Sequence, residues 1–288
     1  MTDKTNSPGE AIREQVRAGY AEIARAGGAP GGTSCCGPAS CCGSGATTAD
    51  DIARGVGYSA AELASLPDGA NLGLSCGNPT ALAALREGEV VLDLGSGGGF
   101  DCFLAGPRVG PTGRVIGVDM TPEMVSKARG NLTAYRETTG LDNVEFRLGE
   151  IEHLPVADRS VDALISNCVI NLSPDKPQVW REIARVLKPG GRVAVSDLAL
   201  LRPLPPAVRT MVEALVGCVT GAALVSDTER FARGAGLLDI QLAQKPDYVR
   251  TVADLQDPLY QKIAAALPPG HAPADYVTSL NVTARKPE

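Results

Sequence analysis

Histidine is nearly missing from this chain: only His153 and His271 occur among 288 residues. Neither has an obvious acid partner in the sequence, and both are expected to be structural or solvent-facing. That scarcity leaves few groups able to serve as a general base near neutral pH. No long basic run occurs and the formal net charge is −6, which argues against nucleic acid or an anionic membrane as partner. No apolar stretch approaches the length of a membrane span. The polar start, Met1 to Glu10, lacks the basic and apolar regions of a secretory signal, so a cytoplasmic location is the default expectation. What the chain does contain is cysteine, eight in all. In a reducing compartment these are thiols, available for chemistry or for soft ions rather than for structural disulfides.

The chain is organised around Glu89 to Asp119. Val90, Val91, Leu92 and Leu94 form a nearly continuous apolar run, as expected of a strand buried on both faces of a parallel sheet. The run ends at Gly95-Ser96-Gly97-Gly98-Gly99, where missing side chains let backbone approach a ligand and then start a helix. A second apolar run, Val115 to Val118, ends in Asp119. That carboxylate lies about twenty residues past the last glycine, where a nucleotide-binding fold places an acid for ribose hydroxyls. Asp93, at the carboxyl edge of the first strand, would repel a pyrophosphate but suits an ammonium or sulfonium group. S-adenosylmethionine is therefore expected ahead of NAD.

On either side the pattern alternates. Glu10 to Arg25 reads as a helix, with Ile12, Val16, Tyr20 and Ile23 at helical spacing. Thr48 or Asp50 is expected to cap a short helix, and Ser59 another over Ala60 to Ser65, with Glu62 completing a capping box. Thr121-Pro122 opens a long helix to about Thr139, followed by strands at Val144–Leu148 and Val161–Ser166, a helix at Pro177–Leu187 and a strand at Arg192–Asp197. Helices at Pro205–Gly217 and, capped by Ser226 to Glu229, through Gly234 come next; Leu237–Leu242 and Val277–Ala284 are expected to pair antiparallel. Repeated βαβ units predict an α/β fold with a doubly wound, mostly parallel sheet. The expected division is 1–69, an N-terminal helix and Cys-rich loop; 70–240, the cofactor-binding core; and 241–288, a C-terminal segment.

The thiols fall in two groups. Cys35, Cys36, Cys41 and Cys42 lie in a Gly/Pro/Ser loop without periodicity. Structural zinc, which prefers Cys-x₂₋₄-Cys repeated twice, is one reading, with four residues between Cys36 and Cys41 but no second spaced pair and no nearby histidine; a reversible redox pair and a scavenging site for a thiophilic ion are the others. Cys76, Cys168 and Cys218 stand singly in turns, Cys168 just past the fourth strand on the same sheet edge as the glycine turn. A single cysteine often packs as a small hydrophobe, which is the expectation for Cys102.

Leu92-Asp93-Leu94-Gly95-Ser96-Gly97-x-Gly99 and Leu187-Lys188-Pro189-Gly190-Gly191 resemble the signature turns of seven-stranded S-adenosylmethionine-dependent methyltransferases. Asn71 to Pro79, Asp93 to Cys102, Ser166-Asn-Cys-Val-Ile-Asn-Leu172 and Gly217 to Ala222 together are similar to the arsenite S-adenosylmethionine methyltransferase family, over roughly residues 70 to 240. The resemblance implies that Cys76, Cys168 and Cys218 bind trivalent arsenic, and that one of the four N-terminal cysteines takes part in disulfide exchange. It implies a Rossmann-like seven-stranded sheet, thiol-bound arsenite and then methylarsenite as methyl acceptors, and a reductant such as glutathione or thioredoxin. For the cofactor it places Gly95, Ser96, Gly97 and Gly99 beneath the methionine and ribose, Asp93 towards the amino group and Asp119 on the ribose hydroxyls. Met120, Glu150, Ile151 and Glu152 are expected around the adenine, and Asn167 at the methionine end. An arsenic lone pair needs no proton removed, which suits a chain so poor in histidine. The rival readings are a methyltransferase for another small molecule, and a metalloid-binding protein without turnover.

Overall fold

In a computed structural model, the described residues are 8–26, 48–211, 218–246, 248–249 and 258–288. Cys35, Cys36, Cys41 and Cys42 lie outside them. One seven-stranded sheet forms the centre, from β1 (Val90–Leu94), β2 (Arg114–Asp119), β3 (Val144–Leu148), β4 (Val161–Asn167), β5 (Leu187–Leu200), β6 (Leu238–Lys245) and β7 (Val277–Arg285), in the order β3-β2-β1-β4-β5-β7-β6. The first five run parallel; β7 is antiparallel to both β5 and β6. The strand order reverses between β1 and β4, so their carboxyl ends frame a crevice at a topological switch point, where such sheets bind ligands.

The sheet is double-faced because its central strands are. Val91, Leu92 and Leu94 are wholly buried, some packing with Trp180, Ile183 and Val186 on one side and others with Phe103, Val109 and Tyr135 on the other. The covering helices include α5 (Phe100–Val109), α6 (Pro122–Gly130), α7 (Leu132–Thr139) and α8 (Lys176–Val186). Ahead of the sheet come α1 (Pro8–Arg25), α2 (Ala49–Gly55), α3 (Ala60–Ala64) and α4 (Pro79–Ala83). Both expected N-caps form: Thr48 with Asp51, and Ser59 with Glu62, each a reciprocal capping box.

Several elements differ from expectation. The long helix after Thr121 is two helices, broken at Gly130-Asn131, where low helix propensity coincides with a bond from Asn131 Nδ2 to the Gly98 carbonyl at 3.4 Å. The fifth strand begins at Leu187, which pairs with Val161 of β4, and runs on to Leu200 because Arg192 to Leu200 gain a continuous partner in β7. Of Pro205–Gly217, the described part gives only α9 (Pro206–Arg209). The helix α10 (Val225–Gly234) starts one residue before Ser226, with Leu224 at its N-cap and no side-chain cap. A helix not anticipated, α11 (Pro258–Ala266), packs through Leu259 and Ile263 into the cluster that holds Cys76 and Cys218. Because β6 and β7 complete the sheet, the boundary placed at 240 runs through β6.

Candidate active site

The crevice at the switch point encloses about 960 Å³ of empty space including its open mouth. Its floor is the glycine turn. Gly95 has φ +68°, and a Cβ there would overlap the Val169 side chain, so both conformation and space demand glycine. Gly97, at φ +51°, has no atom near its would-be Cβ and borders the crevice. The Ser96 hydroxyl is buried without a hydrogen-bond partner in this same wall, a group awaiting a ligand by the usual rule for buried polar atoms.

Three buried acids surround the space. Asp119 ends β2, and its carboxylate accepts from the Gly97 N–H at 3.0 Å and the Thr121 N–H at 2.8 Å. Asp93 Oδ2 accepts from the Cys102 thiol at 3.3 Å; Cys102 therefore does more than fill volume. Asp101, on the first turn of α5, accepts from Tyr58 at 2.6 Å and from Asn167 Nδ2 at 3.2 Å. Burial pushes all three carboxyl pKa values up: Asp93 well above the usual range, with Asp101 and Asp119 adding repulsion; Asp101 to about 6; Asp119 upward, against the pull of its two backbone donors. Acids that repel one another beside an open cavity favour a cationic occupant. The residues present thus fit an ammonium and a sulfonium group.

Of the residues expected around the adenine, Met120, Ile151 and Glu152 border the crevice and Glu150 does not. Glu150 and Glu152 are engaged by α1: Arg13 approaches Glu150 at 3.5 Å and Glu152 at 3.4 Å, and Arg17 reaches Glu150 at 3.3 Å. Arg13, Val16 and Tyr20 make one wall of the space. The first helix therefore covers the cleft, a role its sequence shows only as an apolar stripe flanked by arginines.

The thiols meet at the end of β4. Cys76 and Cys168 are joined as a disulfide, their Cα atoms 6.0 Å apart across 92 residues of sequence. Cys168 sits in left-handed backbone at φ +56°, lines the crevice, and its N–H donates to the Ser196 carbonyl at 2.8 Å. Asn167 links the two halves of the site. Its Oδ1 accepts from the Cys76 N–H at 3.1 Å, while Nδ2 donates to the Gly77 carbonyl at 2.9 Å as well as to Asp101. Cys218, at φ +61°, donates its thiol to the Cys168 carbonyl at 3.0 Å. Among the described residues, the donors within 4.8 Å of one another are the two sulfurs and a carboxylate oxygen of Asp197; Cys218 stands outside that set, one backbone carbonyl away. Two of the three sulfurs expected to converge are together, and the third is adjacent.

Asp197, Asp101 and Tyr58 were not picked out from the sequence. The signal available was an acid at the carboxyl end of a strand for Asp197, and one just past the glycine turn for Asp101. His271 does have an acid neighbour, Asp275 at 3.6 Å, and neither histidine borders the crevice.

Residues 85–255 match the family model described as a methyltransferase domain. The chain is 47% identical to an arsenite methyltransferase of Halobacterium salinarum over 96% of its own length and 67% of that protein's. It is 47% identical to the arsenite methyltransferase of Aquipseudomonas alcaligenes over 56% of this chain, spanning 47% of that protein. Among solved structures it resembles an arsenic (III) S-adenosylmethionine methyltransferase from Chlamydomonas reinhardtii at 33% identity and TM-score 0.56, over 82% of this chain and 73% of that one. A phosphoethanolamine N-methyltransferase of Haemonchus contortus in complex with S-adenosyl-L-methionine shares the fold at TM-score 0.58 and 19% identity, over 74% of this chain and 54% of that one.

Proposed function

This chain belongs to the arsenite methyltransferase family, and on that premise we propose that it transfers methyl groups from S-adenosylmethionine to trivalent arsenic held by its own thiols, first as arsenite and then as methylarsenite. One observation carries the reading: Cys168, at the end of β4, borders an acid-lined crevice beside the glycine turn and is bonded to the buried Cys76 behind it. S-adenosylmethionine supplies a methyl group made electrophilic by its sulfonium. Asp93, Asp101 and Asp119 line a pocket that favours positive charge, and Ser96 offers an unsatisfied hydroxyl.

The cysteines do the rest. Reduction of the Cys76–Cys168 pair frees two thiols. Each then displaces a hydroxyl from arsenic, its proton leaving with that hydroxyl as water, and arsenic stays trivalent. Bound this way, arsenic is pyramidal with an exposed lone pair, so the nucleophile requires no general base. This agrees with a crevice that no histidine borders. Asn167 fixes the Cys76 loop against Asp101, which aligns acceptor and donor sites through one side chain; alignment is the main contribution a protein makes to a transfer of this kind. Transfer of the methyl cation to the lone pair raises arsenic from trivalent to pentavalent. A thiol pair returns it to trivalent methylarsenite by giving up two electrons and closing to a disulfide. An external reductant such as glutathione or thioredoxin must reopen that disulfide between turnovers, and a cytoplasmic setting suits that requirement. Among the described residues no helix is long and apolar enough to cross a membrane.

The test is turnover with arsenite, a reductant and S-adenosylmethionine, separating the arsenic species formed. Cys168→Ser should lower arsenic methylation by about 100-fold or more while S-adenosylhomocysteine binding stays within about twofold, as loss of a substrate-holding group predicts. Near-normal turnover in that variant would return the protein to methyltransferases of other small molecules.

A further inference from the structure

The residue that the cysteine reading leaves unused is Asp197. It lies on β5, is 7% exposed, and one of its carboxylate oxygens is within 4.8 Å of both the Cys76 and Cys168 sulfurs. It is held firmly: Oδ1 accepts from Asn171 Nδ2 and from the Leu198 N–H, each at 2.8 Å, and Oδ2 from the Asn171 N–H at 3.2 Å. Asn171 in turn accepts from the Ala223 N–H through Oδ1 at 3.3 Å, so the carboxylate is tied to the turn that follows Cys218. Cys218 is absent from the cluster that Asp197 joins. An atom bridging the two sulfurs therefore presents its remaining substituent near a fixed carboxyl group.

We propose that Asp197 is a specificity-determining residue that hydrogen-bonds the last hydroxyl of arsenite after Cys76 and Cys168 have captured it, and so favours inorganic arsenite over methylarsenite. This rests on the reading of trivalent arsenic as the substrate. The chemistry distinguishes the two acceptors. Arsenite bound by two thiols has released two waters and keeps one hydroxyl. Methylarsenite bound by two thiols has also released two waters, but its third substituent is a methyl group. A buried carboxyl gains a hydrogen bond with the first and meets a group that can form none with the second; a site built for a hydroxyl rejects the analogue lacking it. When Cys218 takes the third position, its thiol proton leaves with the held hydroxyl as water. Arsenic is neither oxidised nor reduced at any of these steps.

The experiment is calorimetric titration of the full-length protein, reduced with a phosphine so that no added thiol competes, in the presence of S-adenosylhomocysteine. Arsenite and methylarsenite are titrated separately into wild type, into the Cys218→Ser protein and into its Asp197→Ala and Asp197→Asn derivatives, the Cys218 change ensuring that the held hydroxyl is not displaced by the third thiol. Binding of S-adenosylhomocysteine within about twofold of wild type marks a folded variant. Asp197→Ala should weaken arsenite binding by about 10-fold and methylarsenite binding by less than about threefold, from the worth of a buried hydrogen bond. Asp197→Asn keeps the volume and one acceptor, and should fall between; it decides the matter if the alanine variant does not fold. An unchanged ratio of the two affinities, whether both fall together or neither moves, overturns the assignment. Failure of wild type to bind either arsenical would overturn the functional reading itself.

Discussion

At the scale of single residues, the site is governed by charge held out of water. Asp101 has its carboxyl pKa raised by burial to about 6, against the lowering bonds from Tyr58 and Asn167. An acid whose pKa is higher folded than unfolded binds more protons in the native state, so its contribution to stability is lost as pH rises from about 4, its ordinary value, through about 6. Replacing it by Asn should thus help progressively over that window. The difference in melting temperature, Asp101→Asn minus wild type in the cofactor-free protein, is expected to move in favour of the variant between pH 4 and 7; a difference that stays constant would show that Asp101 does not titrate there. Asp93 and Asp101 also explain why residue types alone gave a partial view. Asp93 was legible as an acid at a strand end, whereas the weight of Asp101 comes from Tyr58 and Asn167, which lie 43 and 66 residues away in sequence.

At the scale of elements, the strands and the capped helices were readable because their causes are local: a run of apolar residues for β1, Thr48 with Asp51 for α2, Ser59 with Glu62 for α3. The misread elements have tertiary causes. β5 is long because β7 pairs with it from Arg192 to Leu200, and α11 gains its place from the cluster it fills. Two predictions belong here. Gly95→Ala forces a side chain into left-handed backbone and into Val169 at once, and should cost about 2 kcal/mol or more in chemical denaturation together with most cofactor affinity; an unchanged midpoint would contradict the turn's geometry. Arg13 and Arg17 tie α1 to the Glu150–Glu152 loop through half-buried ion pairs. The double change to Ala should weaken S-adenosylhomocysteine binding by about fivefold, the value of one or two such pairs, and wild-type affinity should fall with added salt. Affinity indifferent to both would mean that α1 covers the cleft without closing it.

At the scale of the whole molecule, the fold brings together sulfurs that are far apart in the chain. Cys76 precedes the first strand, Cys168 follows the fourth, and Cys218 comes after the fifth. The parallel order β1-β4-β5 sets these turns on one edge of the sheet, where Cys168 borders the same crevice as the glycine loop. That edge was legible from βα alternation. The pairing of Cys76 with Cys168 and the fixed carboxylate of Asp197 beside them were not, since no periodicity or spacing records what two distant turns do when packed. The most direct measurement is a single turnover: the reduced protein is loaded with one equivalent of arsenite, freed of excess, and mixed with S-adenosylmethionine carrying a labelled methyl group. Labelled methylarsenic and S-adenosylhomocysteine formed in equal amounts, with neither formed by Cys168→Ser, is the predicted result. Release of S-adenosylhomocysteine with the label on any other acceptor, or retention of arsenite without transfer, would contradict it.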